Sequence, residues 1–350
     1  MLFAIINSMR YIGNKTQLLG EIEAVINENC KDVHTFCDIF SGTASVAKFF
    51  KPKYEIISND ILYLSYVIQR GTIQNDSVPS FDKLTKHLGM SPYQYFDIIE
   101  NTDPGFKKEE MFFLNNYSEL AGRTYLTNSN AELIDLIRLS VEKWFNEKLL
   151  TEDEYFYLLG SIVESIPFFS NISGTYGAFL KTWDPRALKR FTLIKPEVIT
   201  NGKNNKCFNL NYPDLLDLVS GDVLYVDPPY NERQYLPNYH LLETAAKYDY
   251  PNIKGVTGIR EYKEQKSDFC IKSKALSALE LLVSKANFKY ILFSYNTDGL
   301  MPEDEIKNVF QKYSKNGECK VYRIPYKRFK SRTLVNTSDL YELIFFIEKK

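Results

Sequence analysis

Apolar positions change their period several times along the chain, and each change marks an element. Leu18, Leu19, Ile22, Val25 and Ile26 recur at helical spacing, so a helix covered on one side follows Arg10-Tyr11-Ile12-Gly13-Asn14-Lys15-Thr16. Residues 34–40 and 54–60 read as strands. The first runs into the tight turn Ser41-Gly42-Thr43-Ala44 and then a helix through Val46, Ala47, Phe49 and Phe50. From about residue 63 to 197, polar loops alternate with amphipathic stretches such as 131–145 and 152–166, which predicts a largely helical insert. Strand texture resumes at 206–211, 222–227, 290–296, 321–325 and 341–347, with helical crossovers near 268–286 and 302–313. Seven strands linked mostly by helices predict an α/β fold with a mostly parallel sheet covered on both faces. No helix separates the last two strands, so they predict a hairpin and one antiparallel strand. The expected division is a sheet domain of residues 1–62 and 198–350 and an inserted domain of residues 63–197.

The run Asp222-Val-Leu-Tyr-Val ends abruptly at Asp227-Pro228-Pro229-Tyr230. Neither proline donates a backbone hydrogen bond, and each biases the residue before it toward extended backbone. Asp227 therefore stands at a strand's carboxyl end, where open α/β sheets bind ligands. The tetrapeptide offers a carboxylate, a proline carbonyl and an aromatic face, which suit a planar ring bearing an amino group. Taken alone, it fits a strand ending in a polyproline turn as well.

Gly42 and the acid Asp60, eighteen positions later at the end of the next strand, have nearly the spacing of a nucleotide-binding turn and its ribose-holding acid. A carboxylate after a strand is also an ordinary helix cap. The three-glycine fingerprint and the Walker lysine are absent, which weakens dinucleotide and triphosphate readings. Gly13 and Lys15 at a helix start would suit a carboxylate or phosphate, although a lone lysine is more often solvated. The glycine-containing loop 171–183, with Tyr176, Phe179, Lys181 and Trp183, suits a nucleic acid or simple packing on the domain beneath it.

Among 350 residues, 44% are hydrophobic and 25% charged, which are globular values, and the formal net charge is -1. Any polyanion site must then come from local clustering. Lys320, Arg323, Lys327, Arg328, Lys330 and Arg332 provide such a cluster, with no acid among them; it reads equally as a phosphate-binding segment or a solvated basic loop. Five scattered cysteines and three histidines suggest neither a disulfide framework nor a metal site. No run is long enough to span a membrane and the start makes a poor signal peptide, so a reducing cytoplasm is expected.

The Arg10–Lys15 stretch, Phe40-Ser41-Gly42-Thr43, Asn59-Asp60 and Asp227-Pro228-Pro229-Tyr230, in this order and parted by a long insert, resemble the adenine-N6 DNA methyltransferases of the Dam-like, alpha-ordered (D12 class) group. Asn231-Glu-Arg-Gln-Tyr235 and Tyr239-His240-Leu-Leu-Glu243 resemble its FokI-methylase-like branch. The resemblance implies a Rossmann-like methyltransferase fold and S-adenosylmethionine as methyl donor. It places Tyr11, Gly13 and Lys15 at the donor's methionine end, Phe40, Ser41 and Gly42 in the glycine turn beside it, and Asp60 on the ribose. Asp227, Pro228, Pro229 and Tyr230 would hold a flipped-out adenine. From the local excess of charge, and not from the resemblance, Lys327, Arg328, Lys330 and Arg332 are expected to meet DNA phosphates. The insert matches the group's target-recognition region by position only. The chain departs from the group at Ala44, where a second glycine is frequent, and at Asn211, where many relatives carry an acid. Double-stranded DNA and a cognate restriction endonuclease are the implied partners, with association with the nucleoid through DNA and no metal. Competing expectations are RNA adenine-N6 methylation, cytosine-N4 methylation and a catalytically silent DNA-binding relative.

Overall fold

The computed structural model describes residues 15–325 and 340–350. The first elements in chain order are α1 (Leu19–Asn29), β1 (Thr35–Asp38), α2 (Ser45–Phe50), β2 (Glu55–Asn59), α3 (Tyr63–Gln69), α4 (Asp82–Leu88), α5 (Pro92–Ile98), α6 (Phe112–Tyr117), α7 (Asn128–Asn146) and α8 (Glu152–Ser165). They are followed by β3 (Lys206–Phe208), α9 (Tyr212–Leu216), β4 (Gly221–Val226), α10 (Leu236–Lys247), and the short strands β5 (Ile253–Lys254) and β6 (Ile259–Arg260). The last are α11 (Lys272–Lys285), β7 (Phe288–Asn296), α12 (Glu303–Tyr313), β8 (Lys320–Pro325) and β9 (Tyr341–Glu348).

Seven strands pair in the order β3-β2-β1-β4-β7-β9-β8. All run parallel except β9, which lies between β7 and β8 and is antiparallel to both. The sheet is thus mostly parallel with one antiparallel strand, and the last two strands form the expected antiparallel pair. Val223, Leu224, Tyr225 and Val226 of β4 are all buried, as a parallel strand covered on both faces requires. On one face Leu224, Val226, Ile291 and Phe293 pack against Leu215 of α9, Leu279 and Leu282 of α11, and Phe310 of α12. Each such side chain contributes about 1.5–3 kcal/mol by leaving water. The chain leaves β1 for β2 on one side, while β4 pairs on β1's other side. That is a topological switch point, the place at which open α/β sheets bind ligands beyond the carboxyl ends of their strands.

The sheet belongs to a compact unit of Lys15–Ile61, Lys203–Tyr235 and Glu264–Lys350. A second unit contains Leu62–Gly202 and Leu236–Lys263. The division differs from the expected one, because Leu236–Lys263 groups with the inserted helices and not with the sheet. The reason is tertiary. Glu243 of α10 accepts hydrogen bonds from the first amides of α3, Tyr63 N at 3.1 Å and Leu64 N at 2.8 Å. Arg138 of α7 donates to the carbonyls of Ala245 and Ala246 at the end of α10, at 3.0 and 3.3 Å. His240 turns its Nε2 to the Tyr176 carbonyl at 2.9 Å, which ties the 171–183 loop to α10. The inserted unit is helical as expected. Its long helices start at local caps: Thr127 Oγ1 accepts from Asn130 N, and Thr151 with Glu154 forms a capping box on α8.

Candidate active site

Four strand ends of the sheet unit carry the polar residues of interest, beginning with the turn after β1. Ser41 N donates to the Asn59 carbonyl at 2.9 Å and Ala44 N to the Ser41 carbonyl at 2.7 Å. Gly42 has φ +51° and donates its N–H to Asp60 Oδ2 at 2.8 Å, so the acid at the end of β2 orders the glycine turn. The first amides of α3 are held by Glu243. Ala44 has φ +61°, a left-handed conformation that costs a residue with a Cβ roughly 1–2 kcal/mol. That backbone demand gives a physical reason for a glycine at the position.

Asn59 joins three strand ends. Its Nδ2 donates to the carbonyls of Ile39 and Leu210, each at 3.1 Å, and its Oδ1 accepts from Leu210 N at 3.0 Å. Beside it Asp38, the last residue of β1, is fully buried. One oxygen accepts from Ser41 Oγ at 3.0 Å, and the other has no hydrogen-bond partner among the described residues. Burial pushes the Asp38 carboxyl up to about 8 against the pull of Ser41, with Asp227 and Asp60 adding to the rise.

At the end of β4 stands Asp227, as its strand and the two prolines require. Lys15 Nζ lies 3.4 Å from Asp227 Oδ1 and 3.1 Å from Glu342 Oε2. Glu342 is buried, and its other oxygen accepts from Asn296 Nδ2 at 3.1 Å. Burial raises the Asp227 carboxyl to about 6, with Lys15 lowering it and Glu342 raising it further. For Lys15, burial disfavours the charge but the two carboxylates outweigh it, so the ammonium is held more tightly than usual. Tyr230 places its ring 6.0 Å from the same ammonium and edge-on to Tyr295 at 6.4 Å, while its carbonyl accepts from Leu300 N at 3.0 Å. Pro228 is buried and Pro229 partly exposed.

Phe40 is half-buried, with its ring against Tyr212 and Phe269. Asn211 caps α9 by accepting from Tyr212 N at 3.0 Å. Tyr11, Gly13, Lys327, Arg328, Lys330 and Arg332 lie outside the described residues. Of the basic run, Lys320 bonds Asn29 and Glu28, and Arg323 grips both oxygens of Glu303 at 2.7 Å. Sequence reasoning missed Asp38, Asn296 and Glu342. The signal for Glu342 was a lone acid in the apolar run Leu340-Tyr-Glu-Leu-Ile-Phe-Phe346. Among the described residues no cluster of three or more His, Cys, Asp or Glu could hold a metal, and no helix is long and apolar enough to cross a membrane.

A family profile described as D12 class N6 adenine-specific DNA methyltransferase matches residues 11–309. The chain is 46% identical over 345 residues to the type II methyltransferase M.FokI of Planomicrobium okeanokoites, covering 97% of this chain and 53% of that protein. It is 41% identical over 343 residues to the modification methylase StsI of Streptococcus sanguinis, covering 98% and 52%. With the type II methyltransferase M.NlaIII of Neisseria lactamica it shares 34% identity over 352 residues, covering 97% of this chain and 99% of that one. The chain thus spans about half the length of the first two relatives.

Proposed function

The chain belongs to the D12 class N6 adenine-specific DNA methyltransferases, and from that premise we propose that it methylates the exocyclic nitrogen of adenine in duplex DNA with S-adenosylmethionine as donor. The observation that carries this reading is Asp227: a carboxylate at the end of a buried strand, ahead of Pro228, Pro229 and Tyr230, and balanced at 3.4 Å by Lys15.

The residues present fit the donor, which carries an ammonium, a sulfonium and a ribose diol. A buried carboxylate oxygen without a hydrogen-bond partner, on Asp38, suits a cation. Asp60, whose carboxylate lies against the glycine turn, is an acceptor suited to ribose hydroxyls. Phe40, Ser41 and Gly42 belong to the same turn, and Lys15, Tyr11 and Gly13 join them by the resemblance. When bound, the donor supplies an electrophilic methyl group.

The amino nitrogen of adenine is a poor nucleophile because its lone pair is delocalised into the ring. Asp227 and the Pro228 carbonyl accept hydrogen bonds from its two N–H groups and favour a pyramidal nitrogen, while Tyr230 offers a stacking face. Catalysis by these residues is positioning and electrostatics. A paired adenine must leave the stack first, at a cost of a few kcal/mol. The inserted region, residues 63–197, serves target recognition, and Lys327, Arg328, Lys330 and Arg332 hold phosphates. Neutralising those four should flatten the slope of log affinity on log salt by about 0.9 for each phosphate left without its cation. The names of the relatives, type II methyltransferase and modification methylase, support pairing with a cognate restriction endonuclease; protection of DNA from such a nuclease in cells expressing the chain checks this.

The test is transfer of a labelled methyl group from S-adenosylmethionine to duplex DNA, with total RNA in parallel, and identification of the modified base. N6-methyladenine in the duplex supports the reading. Label confined to RNA or to cytosine, or no transfer, contradicts it.

A further inference from the structure

Asp227, Lys15 and Glu342 put two carboxylates on one buried ammonium, an arrangement that wastes an acid if its purpose is only to pair the lysine. The second acid arrives by topology. β9 is the sheet's one antiparallel strand, so its first residues reach the edge where parallel strands end, and its register sets Glu342 opposite Asn296. A carboxylate there carries a desolvation cost that the apolar residues following it do not.

The two acids are held differently. Glu342 is fixed from two sides, by Lys15 at 3.1 Å and by Asn296 at 3.1 Å. Asp227 has only the longer 3.4 Å contact to Lys15 among the ion pairs of the described residues. It also keeps 17% of its side chain exposed, against 6% for Lys15 and 6% for Glu342, so it is the member of the trio that a ligand can reach. An ammonium bound to Asp227 competes for the lone pairs that an amino group needs. An ammonium expelled from Asp227 with no other partner would be a buried, unpaired charge.

We propose that Glu342 is a positioning residue of the reaction: it retains the Lys15 ammonium, so that Asp227 can exchange its lysine for the amino group of the substrate without stranding a buried cation. This rests on the functional reading above. Asp227 is faced by Lys15 and Glu342 and, through the field, by Asp38 and Tyr225. Lys15 is faced by the two acids and by Tyr230.

The experiment compares single-turnover methyl transfer at saturating duplex in wild type, Glu342→Gln, Lys15→Met and Lys15→Met/Glu342→Met, with donor affinity by calorimetry and melting curves alongside. In Glu342→Gln the lysine is left to Asp227 alone, so the rate falls about tenfold or more while donor affinity stays within about threefold. Lys15→Met strands two neighbouring buried acids, and removing Glu342 as well makes the double variant faster than Lys15→Met. A wholly structural Glu342 would lower melting, donor affinity and rate together and make the double variant the slowest. A Glu342→Gln rate near wild type, or a double variant no faster than Lys15→Met, overturns the proposal. If Glu342→Gln does not fold, the comparison of the double variant with Lys15→Met decides by itself. If wild type transfers no methyl group, the functional reading has failed. The carboxyl titration of Asp227 by carbon NMR then still tests the trio: its midpoint falls in Glu342→Gln and rises in Lys15→Met, and an unmoved midpoint overturns the shared-lysine arrangement.

Discussion

Asp38 in the sheet unit and Asp135 in the helical unit are both fully buried carboxyls raised by burial, to about 8 and about 7. Their partners separate them. Asp135 accepts from Phe113 N at 2.9 Å, Leu114 N at 2.8 Å and the Tyr248 hydroxyl at 2.5 Å, so both oxygens are occupied and α6 is capped from outside. Asp38 satisfies one oxygen through Ser41, and the other is without a hydrogen-bond partner among the described residues. A buried acid whose bonds are complete holds the fold together. One with an oxygen to spare costs stability and is explained by a ligand. Asp227, whose one ion pair among the described residues is the long contact to Lys15, falls on the ligand side of this contrast, and Glu243 falls on the structural side.

The sharpest separation comes from deleting acids of each kind. Asp227→Ala should lower methyl transfer by a hundredfold or more, about 2.7 kcal/mol of barrier, with melting and donor binding nearly unchanged. Activity within about tenfold of wild type would move Asp227 to the structural side. Asp135→Ala should do the reverse. It leaves two helix amides and a tyrosine hydroxyl without their acceptor, so urea unfolding should show a loss of about 2–4 kcal/mol, while folded molecules keep their donor affinity.

Asp38→Asn should weaken donor binding and leave the fold intact. The sign of its pH effect follows from the raised carboxyl. The folded state holds that proton more tightly than the unfolded chain, so wild-type stability should fall as pH rises from about 4 to about 8. Asp38→Asn should remove that part of the slope in urea titrations across the window. Asp60→Ala should cost about 1.5–3 kcal/mol of donor affinity by calorimetry, because it loses a charge-assisted ribose contact and frees the Gly42 amide. Unchanged affinity would reduce Asp60 to a brace for the turn. The smallest effect is expected at Ala44→Gly, which relieves the left-handed backbone at some entropic cost. It should raise stability by up to about 1 kcal/mol, and a lower melting temperature would show that the Ala44 methyl packs better than its backbone is strained.

The sequence made Asp227-Pro-Pro-Tyr legible because everything that places it is local: an apolar strand, a proline stop and an acid between them. The seven strands were legible for the same reason. Glu342 was not, since it meets Lys15 across 327 positions and only the antiparallel insertion of β9 between β7 and β8 brings it to the site. The grouping of α10 with the inserted helices was hidden too, because the Glu243 and Arg138 bonds that hold it are tertiary. Asn211 had no visible role until α9 proved to start beside it. Asp38 was read only as part of a strand, and nothing local says that one of its oxygens lacks a hydrogen-bond partner.

Everything proposed for the site requires Asp227 to act as an ionised acceptor at the end of β4. The most direct test is the pH dependence of single-turnover methyl transfer at limiting donor and duplex, where the profile reports the free enzyme. With the carboxyl raised to about 6, the acceptor is present above that pH and lost below it. The rate should be level near pH 8 and fall about tenfold per unit below about 6. A rate that stays level through pH 5 in folded protein would contradict it.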